Sequence, residues 1–144
     1  MNEYVIDTTV LQKANAAIHQ PPRSDSLFVR RVALLNEIHE GKKIVLWSNK
    51  LLAEYRRQVR IPRNDFVRLF FELLADPRRA RYHWASWSGR DEEKARRCRY
   101  PREDDHVLRT AARPDGSTIV TEERRMLQAD VCIHRAFRVH IKLP

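Results

Sequence analysis

Only three glycines occur in the 144 residues, and no stretch is crowded with glycine, serine or proline. The shortage leaves no flexible linker, no low-complexity tract and no glycine loop of the kind that cradles phosphate. No internal repeat is visible. Long hydrophobic runs are missing as well; none approaches the roughly 18 residues of a membrane span. The opening MNEYVIDTTV holds two acids and no basic stretch, so no secretory signal is expected. Cysteine is scarce. Cys98 and Cys132 stand in unrelated contexts without the paired spacing of a metal site. Each is expected to be an unpaired thiol, which suits a reducing, cytoplasmic setting.

Lysine is the other shortage. Of 28 basic side chains only six are lysine, and arginine supplies the rest. The formal net charge is +9 and the isoelectric point about 10.1. A planar guanidinium fork matches phosphate, so this balance fits a nucleic-acid partner. The plainer reading is generic surface charge from an arginine-rich codon usage. A hydrophobic content of 42% is enough for one core, and the length suits a single compact domain over 1–144.

The apolar pattern alternates between short runs and helical stripes. EYVID at 3–7, KIVLW at 43–47 and STIVT at 117–121 read as buried strands, with a weaker candidate at 79–84. Helices are expected over 9–19, ended by Pro21-Pro22, and over Ser24–Glu40, stopped by Gly41. Further helices are expected over 48–60 with Ser48 as N-cap, over 65–75, from Asp104, and over 122–128. Residues 85–102 read as irregular and charged, and DVCI and FRVHIKL as closing strands. Short buried strands alternating with helices imply an α/β fold with a central, mostly parallel sheet.

In such sheets the ligand crevice lies beyond the carboxyl ends of the strands. Asp7 closes the first strand. Thr121, Glu122 and Glu123 follow the third, Glu54 lies two turns into the helix after the second, and Asp104 opens the helix before the third. Asp104, Val107, Leu108 and Ala111 share helical spacing, which turns Asp104 inward and Asp105 toward the flank. Each acid also has a plain explanation. Asp104 can be an N-cap, Glu54 a solvated helix residue, Glu122 and Glu123 helix-dipole partners, and Asp7 part of an Asx-type turn. None of these explains four acidic stations at one crevice. Carboxylates held together repel, and a proton or divalent cation relieves them. Oxygen donors without a Cys/His framework suit Mg²⁺ or Mn²⁺. Such a cation polarises a phosphoryl oxygen and generates hydroxide from water.

Four stretches in order carry a resemblance over essentially the whole chain: VIDTTVL at 5–11, WSNKLLAEYRRQV at 47–59, EDDHVLRTA at 103–111 and STIVTEERRML at 117–127. Together they resemble the motifs of the PIN-domain ribonucleases, including the VapC-like toxins of toxin–antitoxin pairs. The resemblance implies a flavodoxin-like, three-layer α/β/α sandwich and a Mg²⁺- or Mn²⁺-dependent endoribonuclease leaving 5′-phosphate and 3′-hydroxyl ends. It implies Asp7, Glu54, Asp104 and Glu123 as catalytic metal ligands, Asp105 as a second choice beside Asp104, and Thr121 as an orienting residue. It further implies a homodimer and a small antitoxin partner. Thr9 stands where the family often has Asn, and Glu123 where it usually has Asp. An alternative is a nucleic-acid-binding module of the same build without turnover.

Three other features are candidates. His106 neighbours the acids but points away from the apolar stripe, and is expected at the surface. Trp84 and Trp87 flank a basic segment and can stack bases, although anchoring a loop is the plainer role. Arg96, Arg97 and Arg99 in RRCRY are phosphate-contact candidates; a solvated loop is the alternative. No serine or cysteine nucleophile arrangement is present.

Overall fold

The computed structural model describes residues 2–16 and 27–144. Its strands are β1 (Glu3–Ile6), β2 (Ile44–Trp47), β3 (Ala80–Tyr82), β4 (Ser117–Val120) and β5 (Val139–Lys142). Its helices are α1 (Thr8–Ala14), α2 (Phe28–His39), α3 (Asn49–Gln58), α4 (Asp65–Leu73), α5 (Gly89–Arg97), α6 (Asp105–Ala111), α7 (Arg124–Gln128) and α8 (Asp130–Phe137), with a 3-10 turn at Arg102–Asp104 before α6. The strands form one sheet in the order β3-β2-β1-β4-β5, and every pairing is parallel. The molecule is an α/β/α sandwich.

The sheet centre explains the continuous apolar runs. Val5, Ile6, Val45, Leu46, Ile119 and Val120 are all fully buried, as expected for parallel strands covered on both faces. β5 sits at an edge and alternates instead: Val139 and Ile141 are buried, His140 and Lys142 exposed. Chain order and strand order part company at β1. The chain leaves β1 for β2 on one side and reaches β4 on the other, so the crevice beyond β1 and β4 is a topological switch point.

The helices around 48–60, 65–75 and 104–111 fall where apolar spacing puts them. Ser48 caps α3 by accepting from Leu51 N, and Asn64 caps α4 by accepting from Val67 N. The stop expected at Pro21-Pro22 and the helix start expected at Ser24 lie outside the described residues. Three segments differ from expectation. The helix expected over 9–19 ends at Ala14, with Asn15 as its C-cap. Residues 85–102 are not irregular throughout, because α5 occupies Gly89–Arg97. Only Ala95 of α5 is buried, so hydrophobic periodicity was blind to it; a capping box between Ser88 and Asp91 starts it instead. DVCI is not a strand. It opens α8, which packs against β5 and α5, and tertiary contact overrides the β-propensity of Val131 and Ile133.

The cysteines also differ. Cys98, at the end of α5, forms a disulfide with Cys132 of α8, 34 residues away. Neither is an unpaired thiol, so the cysteines give no argument for a reducing compartment. Among the described residues no helix is long and apolar enough to cross a membrane.

Candidate functional site

The site begins where β1 ends. Asp7 N donates to the Val120 carbonyl at 2.9 Å, fastening the end of β1 to the end of β4. The Asp7 side chain caps nothing. Its Oδ2 accepts from Thr9 Oγ1 and from Thr121 Oγ1, each at 2.7 Å. Asp7 is only 3% exposed and Thr121 is fully buried. Burial raises the Asp7 pKa, the two threonine hydroxyls oppose the rise, and Glu54 adds to it. Thr121 Oγ1 donates to Asp7 and accepts from Glu123 N at 3.0 Å, so it bridges the ends of β1 and β4.

The neighbouring acids sort themselves by partner. Glu122, 5% exposed, is clamped by Arg31, whose Nε and Nη2 donate at 2.6 and 2.5 Å, with Lys13 Nζ at 3.6 Å. Glu123 is more open and pairs with Arg125 at 3.3 Å. Asp105 is held by Arg96 in a short ion pair. Asp104 differs from all of these. It is half-buried, its side chain makes no capping bond, and among the described residues no donor meets its carboxylate. Burial, with the charges of Asp7, Glu103 and Glu123, lifts its pKa to about 7, although His106 works in the opposite direction. Tyr100 Oη fixes the segment by donating to the Asp104 carbonyl at 2.8 Å.

Glu54 reaches the crevice from α3 and is not a solvated residue. Its Oε1 accepts from Thr8, and its Oε2 lies 2.8 Å from His106 Nε2. Burial favours its neutral form, but these two partners win and hold its pKa below the ordinary value. His106 is therefore not a surface histidine; its side chain is 15% exposed and faces the acids. Burial pushes its pKa down, while the Glu54 contact and the charges of Glu54, Asp104 and Asp7 raise it on balance. Ser48 and Thr110 set this pairing. Their hydroxyls meet at 2.8 Å and tie the start of α3 to α6. No sequence pattern links positions 54 and 106, and only the packing of α3 on α6 brings them together.

The nucleic-acid candidates divide in the same way. Arg96 is spent on Asp105, Arg97 forms an exposed pair with Glu93, and Arg99 is exposed at φ 58°. Trp87 stacks on Phe137 at 5.6 Å and anchors its loop. Trp84 carries the Arg109 guanidinium 4.3 Å and the Lys50 ammonium 5.6 Å from its ring centre. Lys50 and Arg109 were not candidates from sequence.

Among the described residues no three His, Cys, Asp or Glu side chains gather closely enough to form a ready-made metal cage. The donor chemistry nevertheless matches a hard divalent cation. Asp7, Asp104 and Glu123 offer carboxylate oxygens alone, and Asp104 is unpartnered. Mg²⁺ is often held by one or two carboxylates, with water and substrate phosphate completing the shell. A comparison with known families finds no family model that matches the chain, and a comparison with curated proteins finds no match.

Proposed function

We propose that this protein is a divalent-cation-dependent endoribonuclease that hydrolyses RNA phosphodiesters. The carrying observation is Asp104: a half-buried, unpartnered carboxylate facing Asp7 and Glu123 at the switch point, with a pKa near 7. Structural acids normally find a donor, as Glu122 and Asp105 do. A carboxylate kept without one is suited to a cation or to a moving proton. Asp7 and Asp104 would hold Mg²⁺ or Mn²⁺, with Glu123 beside them. When bound, the cation supplies charge stabilisation at the phosphoryl group and a more acidic water.

The chain's own residues do the rest. Thr9 and Thr121 fix one oxygen of Asp7. A carboxylate of the site that does not bind the cation would take the proton of the attacking water. His106, whose Nε2 lies 2.8 Å from Glu54, adds a positive charge beside the acids when it is protonated. The order of the four motifs and their resemblance to PIN-domain ribonucleases support the same reading. That resemblance alone underlies the further proposals of a toxin role, a small antitoxin partner and a homodimer.

One observation favours a second reading, an RNA-binding module without turnover. Glu54 commits its oxygens to Thr8 and His106, and no three-ligand cage is ready-made. RNA cleavage titrated with Mn²⁺ separates the two. The nuclease reading expects metal-dependent cleavage that Asp7→Asn abolishes without changing the circular dichroism spectrum. Tight binding without cleavage at any metal level establishes the binding module instead.

A further inference from the structure

Trp84 lies one helical turn from the Glu54–His106 contact along both helices that build it. Lys50 is four residues before Glu54 on α3, and Arg109 three residues after His106 on α6, so each pair shares a helix face about 5.4 Å apart. The segment carrying Trp84 leaves the carboxyl end of β3, on the same rim of the sheet as the acids. It is fixed rather than loose. His83 N donates to the Trp47 carbonyl at 2.9 Å, and the His83 ring lies 2.8 Å from the Thr110 carbonyl. Ala85 N donates to the Arg109 carbonyl at 2.8 Å, and Arg109 Nε returns a bond to the Ala85 carbonyl at 2.9 Å.

Neither cation is paired to an acid, although Arg109 is held in place: its Nε bonds the Ala85 carbonyl, and its guanidinium packs over Trp84 and, at 5.6 Å, over Trp87. Most other arginines near the crevice are bound to acids, as Arg96 is to Asp105 and Arg31 to Glu122. Among the described residues neither Lys50 nor Arg109 meets a carboxylate. The Trp84 indole is partly buried, as Trp87 is, but Trp87 stacks on Phe137 whereas no aromatic ring stacks on Trp84 among the described residues. A partly exposed indole beside two cations that no acid neutralises is the chemistry that binds a base and its phosphate together.

We propose that Trp84, Arg109 and Lys50 form a subsite for one nucleotide of single-stranded RNA, with its base against the open part of the indole and its phosphate between the two cations. The proposal rests on the ribonuclease reading and names where the strand enters that site.

Fluorescence titration of the full chain with a short oligouridylate, in chelator so that no cleavage occurs, tests it. RNA is expected to quench the wild-type tryptophan signal. Trp84→Leu is expected to lose most of that quench and to bind about 5- to 100-fold more weakly. Lys50→Gln, an exposed change that leaves folding intact, is expected to keep part of the quench and reduce the salt slope of binding by about 0.7. Duplex RNA, whose bases are stacked away, is expected to quench little. Equal RNA affinity in wild type, Trp84→Leu and Lys50→Gln overturns the subsite. If those variants also keep wild-type KM in Mn²⁺-dependent cleavage that Asp7→Asn abolishes, the ribonuclease reading stands while the subsite falls. No RNA binding and no cleavage by the wild type overturns both. Equal quenching of Trp84 by an acidic peptide such as oligoglutamate overturns the assignment to nucleotides.

Discussion

Asp104 holds the least settled charge in the crevice, and stability should record it. Its carboxyl titrates at about 7 in the folded chain against 3.8 as an unperturbed group. Between those values the folded state binds more protons than the unfolded one, so stability falls as pH rises through that window. Below about pH 4 both states are protonated and the penalty is absent; above pH 7 it is fully present. Urea unfolding in chelator should show this decline. Asp104→Asn should remove most of it and stabilise the protein at pH 8 by about 1–2 kcal/mol, less than the whole shift implies because the carboxylate is part-exposed and screened. His106, whose pKa is also raised, acts in the same direction and should leave a residual slope. Asp7 was legible because an acid closing a buried strand demands partners. No local pattern pointed to Thr121, 114 residues away; only the resemblance named it.

Two tethers hold the elements that frame the crevice. The Cys98–Cys132 disulfide ties α5 to α8 just ahead of Tyr100, which in turn positions Asp104. Closing a 34-residue loop should contribute about 3–4 kcal/mol through the unfolded chain. Denaturant unfolding with and without a dithiol reductant measures it. The second tether is the Arg31–Glu122 pair between α2 and the end of β4, with both side chains almost fully buried. Arg31→Ala should cost about 3 kcal/mol because it leaves the buried Glu122 carboxylate with only the exposed Lys13 at 3.6 Å, whereas Arg31→Met with Glu122→Leu should cost much less. A double-mutant cycle by chemical denaturation distinguishes them. α5 was illegible to hydrophobic periodicity because its face is nearly all charged, although the Ser88–Asp91 cap was there to be read. α8 was mistaken for a strand because its short apolar run contains β-branched residues, and short runs of that kind do not discriminate between the two states.

The whole molecule carries a net charge of +9 while concentrating acids at one end of its sheet. If RNA is the partner, binding should be salt-dependent. Three or four phosphate contacts give a log–log slope of about −2 to −3, or a roughly 15- to 60-fold loss between 50 and 200 mM salt. Filter binding across that range checks it, and a flat response would remove electrostatics as the basis of recognition.

The amino-acid order alone determined that buried parallel strands alternate with helices, and that acids follow strand ends. Those features depend on neighbours within a few residues, and hydrophobic periodicity reports such neighbours directly. Only the tertiary structure decided that Arg31 clamps Glu122, that His106 meets Glu54, that the two cysteines join, and that Lys50 and Arg109 converge on Trp84. Each of these depends on how separate helices dock around the sheet. Docking angle and depth are set by the packed core as a whole, which no local pattern contains.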